Sequence, residues 1–291
     1  MRVLENKRGR RTGGFAAALC WAGLYALSLR AAPAPVADAV GTPPRVVCST
    51  TMLQAVVQAV GGPELAVHAL IPFGMCPGHF DVTPGEAARL RSADLWLAHG
   101  FERMLHQAGP LEARPNLQRV PVSGNWMVPA VHVQGVEAVR AILATRWPAR
   151  AEGFGERATA YAEQVRHDGE RAKDRLAAHQ GRPVVCAAIS RDLVEWYGFE
   201  VVATFPRDEN VSVQSLQRVL AAARAAGAVL VLDNRQSSGR VGRTLARELE
   251  VPLVMLTNFP EPDEIPPGET TYLRALHGQI EAIRTALTTG S

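Results

Sequence analysis

Short apolar runs alternate with amphipathic runs in the first third of the chain. The strands predicted from apolar and β-branched residues are 45–48, 65–71, 94–98 and 118–121. The helices predicted from helical spacing are 52–60, 84–90 and 100–107. Hydroxyl residues at 49–51 can cap the first helix, and Gly61-Gly62 can end it. This alternation is typical of a parallel sheet flanked by helices.

A long stretch of helical pattern follows. Apolar residues recur at helical intervals between about residues 134 and 179, and Pro148 interrupts them. We expect two helices or one sharply kinked helix, because proline cannot donate the backbone hydrogen bond. The stretch is too long for an ordinary connection between two strands, so we expect it to join two domains.

The alternation of strand and helix then resumes. The predicted strands are 183–187, 200–205, 228–232 and 253–256, and the predicted helices are 192–197, 212–226, 239–249 and 271–287. The fold class is therefore α/β: two α/β lobes, each with a mainly parallel sheet, bridged by one long backbone helix. The expected segments are a signal peptide (1–32), a linker (33–44), an N-terminal lobe (45–130), a bridging helix (131–180) and a C-terminal lobe (181–291).

The N-terminus has the three parts of a secretory signal: basic residues at 7–11, an apolar run at 15–29 and small residues at 31–34. We expect export to the periplasm, and an uncleaved N-terminal anchor is the alternative. Cys20 suggests a lipid-anchored form as a further alternative. Leu19, however, is larger than the small residue that a lipidation site requires just before its cysteine.

The formal charge of +3 includes +5 from residues 1–32, which leaves −2 for the remainder of the chain. A slightly acidic chain offers no electrostatic support for a nucleic-acid partner, and we expect none. The chain has no Gly-x-Ser-x-Gly motif, phosphate loop or Cys-x-x-Cys pair. We therefore expect no enzymatic activity.

A stiff loop at residues 72–84 carries three side chains that can bind a metal: Cys76, His79 and Asp81. Three prolines and two glycines in the loop exclude regular structure, so the loop must hold a defined shape. A Cys-x-x-His pair alone cannot complete a metal site.

The order of several motifs resembles the zinc/manganese-type (cluster A-I) solute-binding family, the metal receptors of bacterial ABC importers. The matching residues are Pro72–Gly74, Cys76–His79, Phe80, Asp81, Thr83-Pro84, Ala93–Leu95, Gly100–Glu102, Tyr197–Glu200 and Thr271–Leu273 with 283–287. The resemblance runs from about residue 45 to 287. It implies two α/β lobes joined by a long helix, with a metal between the lobes held by three histidines and one carboxylate.

The family's four ligand positions are largely altered in this chain. The first histidine is His79; the second position falls on Gly124, with His132 nearby as a substitute. The third position falls on Ala187, beside Cys186. The fourth falls on Asn234, followed by Arg235 and preceded by Asp233. The other histidines, including His99, have no family-matched position, and we expect them to be surface or lobe residues.

On the family fold, the strand ends that carry Cys48 and Cys186 and the loop that carries Cys76 and His79 would face one cleft. Three thiolates and an imidazole would suit zinc or another thiophilic transition-metal ion. Two alternatives stay open: Cys48 and Cys186 as small buried hydrophobes, or a disulfide from Cys48 to Cys186 or Cys76 in an oxidising compartment.

The leading hypothesis is a periplasmic receptor that binds a transition-metal ion, works with an ABC permease in the inner membrane, and is a monomer. The first alternative is a receptor for a metal complex or anion, in which Asn234 and Arg235 replace a negative ligand. Arg191 and Arg207 could add to that charge, and Trp126 could line the pocket. The second alternative is an exported thiol protein with a redox role.

Overall fold

The computed structural model describes residues 42–102, 115–262 and 270–289. Within these residues, eight strands form two four-stranded sheets, and every neighbouring pair is parallel. The first sheet contains β1 (Arg45–Cys48), β2 (Ala66–Ala69), β3 (Leu95–Ala98) and β4 (Leu117–Arg119). The second contains β5 (Pro183–Ala187), β6 (Glu200–Phe205), β7 (Val231–Asn234) and β8 (Leu253–Leu256). Their spatial orders, β2-β1-β3-β4 and β6-β5-β7-β8, are equivalent.

Helices connect and cover these strands. They are α1 (Thr51–Gly61), α2 (Pro84–Ser92), α3 (Pro129–Arg146), α4 (Ala151–Asp174), α5 (Arg191–Trp196), α6 (Val213–Ala226), α7 (Arg240–Leu249) and α8 (Thr271–Thr289). Hydroxyl caps fix several of their starts, because the first backbone N–H groups of a helix lack partners within it. Thr50 Oγ1 accepts from the Leu53 N–H of α1, and Thr83 and Ser212 form reciprocal capping boxes.

The predicted α/β class with two parallel-sheet lobes is confirmed. Strand β7 differs most from its prediction, because it continues past Leu232 to Asn234. Asp233 and Asn234 are polar, yet pairing with Met255 and Leu256 of β8 holds them in the sheet. The helix predicted at 100–107 lies largely outside the described residues.

The stretch at 131–180 is two helices and not one. Pro148 begins a short 3₁₀ turn, Pro148–Arg150, between α3 and α4, and α4 packs against α3. Helix α4 has 24 residues, a length of roughly 36 Å at 1.5 Å per residue. It contacts α1 of the first lobe and α8, which packs on β8 of the second. The bridging role therefore belongs to α4. None of the described helices is both long and apolar enough to cross a membrane.

One apolar core runs through both lobes, and the two strand faces divide its residues. Val46 and Cys48 of β1 and Val184 and Cys186 of β5 belong to this shared core, together with α3, α4 and α8. Val47 and Val185 point to separate outer clusters. Because successive strand residues face opposite sides of a sheet, both cysteines face the helical core.

Candidate functional site

A cleft of about 500 Å³ lies between the carboxyl ends of the two sheets. Every described strand contributes to its wall, either with its last residue or with the segment that follows. The lining residues are Met52 after β1; Pro77 and Gly78 after β2; His99 and Phe101 after β3; Gly124, Asn125 and Trp126 after β4; Ala188, Ile189 and Asp192 after β5; Arg207 after β6; Asn234, Gln236 and Ser237 at the end of β7; and Asn258 and Phe259 after β8. Ligands of open α/β sheets bind at this edge.

Cys48 and Cys186 do not line the cleft. Both are fully buried in the shared core as free thiols. Burial raises the pKa of Cys48 well above its usual range and raises the pKa of Cys186 to about 12. The expectation that both face the cleft is corrected here, because each occupies a strand position that points to the helices. Their environment matches the alternative of small buried hydrophobes.

Cys76 and His79 lie beside the cleft but point in different directions. Cys76 is buried, and its Sγ accepts a hydrogen bond of 3.1 Å from Arg207 Nη1 of the other lobe. The His79 side chain is 61% exposed, with Nε2 3.9 Å from Glu209 Oε1. Among the described residues, no three His, Cys, Asp or Glu side chains converge in a group that could hold a metal ion. The four predicted ligands are therefore not brought together.

His132 is enclosed by aromatic side chains and does not line the cleft. Its Nε2 lies 2.8 Å from the Tyr161 hydroxyl, and its ring stacks on Tyr272 with centroids 3.6 Å apart. Burial lowers the pKa of His132 from 6.5 to about 3, so the imidazole is neutral. In this position it does not substitute for the second family ligand.

Asp233 joins β7 to α7. Its Oδ1 accepts from the Asn234 N–H at 2.6 Å, and its Oδ2 accepts from the Gly242 N–H at 3.1 Å. A Cβ atom at Gly242 would lie 2.4 Å from Asp233 Oδ2, so only glycine permits this approach. Burial raises the pKa of Asp233. The carboxylate therefore supports the strand end from behind the cleft.

Arg235 and Asp81 are exposed, and neither lines the cleft. Arg235 lines a separate pocket of about 290 Å³ together with Thr271 and Gln279. The arginine of the cleft is instead Arg207, and Asp192 is the acidic residue of its wall. Arg191 pairs with Glu195 on the exposed face of α5, which raises the pKa of its guanidinium.

Three of the four family ligand positions lie at the cleft, and all three carry side chains that cannot serve as strong metal ligands. Gly124 and Asn234 line the wall, and Ala187 immediately precedes the lining residue Ala188. Hydrogen, methyl and neutral amide groups replace the two histidines and the carboxylate that the resemblance implies. Trp126, predicted as a pocket residue, does line the cleft. The Trp126 ring packs against α3 at Gly135, where an added Cβ atom would lie 2.3 Å from a ring carbon.

Neutral amides form a connected group in the wall. Asn125 of the first lobe donates from Nδ2 to the Ile189 carbonyl at 3.1 Å and to Asn258 Oδ1 at 3.2 Å in the second lobe. The Asn258 N–H donates to Gln236 Oε1, and the Gln236 N–H donates to Asn234 Oδ1 at 2.9 Å. These bonds fix which end of each amide is an acceptor.

His99 also lines the cleft, although it was expected only as a surface or lobe residue without a family-matched position. Its ring stacks on Phe101 and meets Trp126 edge-on, with centroid distances of 4.9 and 4.7 Å. Its Nε2 lies 3.0 Å from Thr50 Oγ1, and its Nδ1 is shielded from solvent. Burial lowers the pKa of His99 to about 4, against a smaller opposing effect of Glu102. The imidazole is therefore neutral; Nε2 is engaged by Thr50, and Nδ1 has no hydrogen-bond partner among the described residues.

Buried Glu102 holds this aromatic segment in place. It accepts hydrogen bonds from the Ser49 hydroxyl and from the backbone N–H groups of His99 and Gly100. No sequence motif singles out Asn125, Asn258 or His99. Each, however, lies only a few residues after a predicted strand, and that position alone could have identified them.

Comparisons with known proteins agree with this architecture. "Iron-binding protein YfeA" of Yersinia pestis is 28% identical over 188 residues, which cover 56% of this chain and 59% of that protein. The chain thus matches less than two thirds of the relative's length. A crystal structure of ZnuA superposes with a TM-score of 0.71 at 15% identity, covering 84% of this chain and all of that one.

A Cd-bound periplasmic metal-binding protein from Candidatus Liberibacter asiaticus has a TM-score of 0.70 at 18% identity, covering 84% of this chain and 99% of that one. At these identities the superpositions show the shared fold. The family model described as "ZnuA: Zinc-uptake complex component A periplasmic" matches residues 46–286. This chain therefore belongs to the ZnuA family of periplasmic zinc-uptake components.

Proposed function

We propose that this chain is the periplasmic receptor of an ABC importer that takes up a transition metal. The observation that carries the proposal is the convergence of all eight described strand ends on one cleft between the lobes. A ligand bound there contacts both lobes, so binding and lobe closure are coupled. Family membership supports a role in uptake, and the cadmium-bound and manganese-bound relatives support a transition metal as the cargo.

The receptor would act by binding and delivery, without catalysis. The shared core and α4 connect the lobes closely, so we propose that release requires only a small relative movement. Its partner would be a permease in the inner membrane, which a monomeric receptor exported through residues 1–32 could reach. A redox role has less support, because Cys48 and Cys186 are buried and their pKa values are raised, which disfavours reactive thiolates.

Cellular metal content tests this function. Cells that lack the chain should accumulate less of one transition metal in metal-limited medium, as measured by inductively coupled plasma mass spectrometry. The full-length chain should restore the content, and a chain without residues 1–32 should not. Unchanged contents of zinc, manganese, iron, copper and nickel in the deletion strain would reject the proposal.

A further inference from the structure

We infer that the cleft receives a transition metal already held by a small organic chelator with anionic oxygen groups, and not the bare ion. This inference rests on the proposed function, because it narrows the ligand class of the same cleft. Four observations carry it: the donor set of the wall, an unsatisfied amide, an interlobe arginine, and the size and character of the cavity.

The described residues of the wall do not satisfy a bare divalent cation. Such an ion needs several imidazole, thiolate or carboxylate donors converging at about 2.0–2.3 Å, and the described residues offer no such group. The formally charged side chains among the described lining residues are Asp192 and Arg207, whose charges cancel. A buried dication would therefore lack compensating charge, which is strongly unfavourable. A complex that supplies its own donors avoids both problems.

Asn234 presents a donor where the family pattern has an acceptor. Its Oδ1 is occupied by the Gln236 N–H at 2.9 Å, so the free end of the amide is Nδ2. This Nδ2 is buried and has no hydrogen-bond partner in the part of the chain that the structure describes. An unpaired buried donor is unfavourable, because it has lost its hydrogen bonds to water without gaining others. An amide N–H cannot bind a cation, but a carboxylate or carbonyl oxygen would satisfy it after a small shift of the wall.

Arg207 adds a positive charge to the same wall. Its Nη1 bonds Cys76 Sγ across the cleft at 3.1 Å, which holds the guanidinium at the boundary between the lobes. A guanidinium there repels a free metal ion and attracts an anionic oxygen group. Contact with such a group would form a charge-assisted hydrogen bond, the stronger kind.

The cavity suits a molecule of several atoms. Its volume of about 500 Å³ is typical of a small-molecule pocket. Apolar side chains line much of it, and two of them, Phe101 and Ile189, remain 57% and 47% exposed in the described structure. Exposed apolar groups around a few polar ones mark a surface that an organic ligand covers.

Titration calorimetry with defined zinc species tests the inference. The probes are zinc chloride, zinc–citrate, zinc–histidine and the metal-free chelators, each added to reduced full-length protein. At least one chelate should bind about tenfold or more tightly than the aquo ion, a factor equivalent to a difference of about 1.4 kcal/mol. Arg207→Met and Asn234→Ala should each weaken chelate binding by roughly 10–100-fold, as expected for a lost bond to a charged group.

Arg191→Met is the matched control, because it removes an arginine of the same lobe that lies outside the cleft. Its chelate affinity should equal that of the unchanged protein, and circular dichroism should show all variants folded. Aquo zinc binding at least as tightly as both chelates would overturn the inference and leave the proposed function standing. Binding of none of these zinc species, with unchanged cellular metal contents, would overturn both. Tighter binding of the metal-free chelator than of its zinc complex would overturn the inference as well.

Discussion

Asn234 shows how one side chain changes the ligand that a cleft can hold. At the equivalent position the family resemblance implies a carboxylate, which would be a negative metal ligand. Here the Gln236 N–H fixes the amide so that its donor end has no partner within residues 42–102, 115–262 and 270–289. The substitution exchanges attraction for a cation with attraction for an oxygen acceptor.

The reverse substitution, Asn234→Asp, should shift this preference. We expect aquo zinc to bind about tenfold more tightly and an anionic zinc chelate about tenfold more weakly, because the new carboxylate attracts the ion and repels the chelator. Competitive titration with a fluorescent zinc indicator measures both changes. Equal effects on the two zinc species would contradict the assigned role of the amide.

Buried His132 predicts a loss of stability in acid. Its pKa is about 3 in the folded chain, against 6.5 for an unperturbed histidine, so between these values the unfolded chain binds more protons. The contribution of neutral His132 to the free energy of unfolding is therefore fully present above about pH 6.5. It decreases as the pH falls below that value, by up to about 1.4 kcal/mol per pH unit. His132→Phe keeps a ring on Tyr272 but cannot be protonated.

Between pH 7 and pH 5, His132→Phe should lose about 2 kcal/mol less unfolding free energy than the unchanged protein. Urea unfolding at the two pH values measures the difference. His167→Gln, which alters an exposed histidine, should behave like the unchanged protein. The same acid sensitivity in His132→Phe would show that His132 is not the group that titrates.

Cys48 and Cys186 show which property of a single residue could not be predicted from the sequence, namely the face of the sheet that it occupies. Apolar patterning placed β1 and β5 correctly, with Cys48 near the end of one and Cys186 near the end of the other. Patterning did not reveal which face each thiol occupies, because both faces of a covered parallel sheet are apolar. The packing of these strands against the central helices determines which face each thiol occupies, and this packing is a property of the whole fold.

At the level of elements, α4 packs against α1, α3 and α8, and small residues allow close contacts. Gly169 lies so near α3 that an added Cβ would be 2.8 Å from Pro129 Cγ. Gly155 on the same helix has nothing within 4 Å of that position. The two glycines thus provide a matched pair in one element.

Gly169→Ala should destabilise the protein by roughly 1–3 kcal/mol, because the proline ring must move. Gly155→Ala should stabilise it by about 0.5–1 kcal/mol, because alanine favours helix in an open position. Thermal or urea unfolding monitored by circular dichroism measures both. Equal shifts in the same direction would contradict the described packing of α3 on α4.

Most elements could be predicted because their signals are local. The hydroxyl caps at Thr50, Thr83 and Ser212 and the break at Pro148 act within one turn of chain. The end of β7 could not be predicted, because the pairing of Asp233 and Asn234 depends on β8, a strand about twenty residues later. That extension puts Asn234 at the cleft.

At the scale of the whole molecule, the cleft is a property of eight separate loops. Among the described residues, interlobe contacts at the cleft include Arg207 with Cys76, His79 with Glu209, and Asn125 with both Ile189 and Asn258. The two-lobe fold followed from the order of elements along the chain. That order also indicates where the cleft lies, after the strand ends. It does not indicate which side chains face the cleft, because that depends on how the segments after all eight strands meet.

On the inference above, this cleft carries a metal together with its chelator. Native mass spectrometry of the receptor, purified from its host's periplasm without added ligand, tests this claim without assuming which chelator is bound. We expect a bound mass larger than that of any single transition-metal ion, lost on denaturation, with the metal and an organic molecule released together. A bound mass equal to one bare metal ion would contradict it.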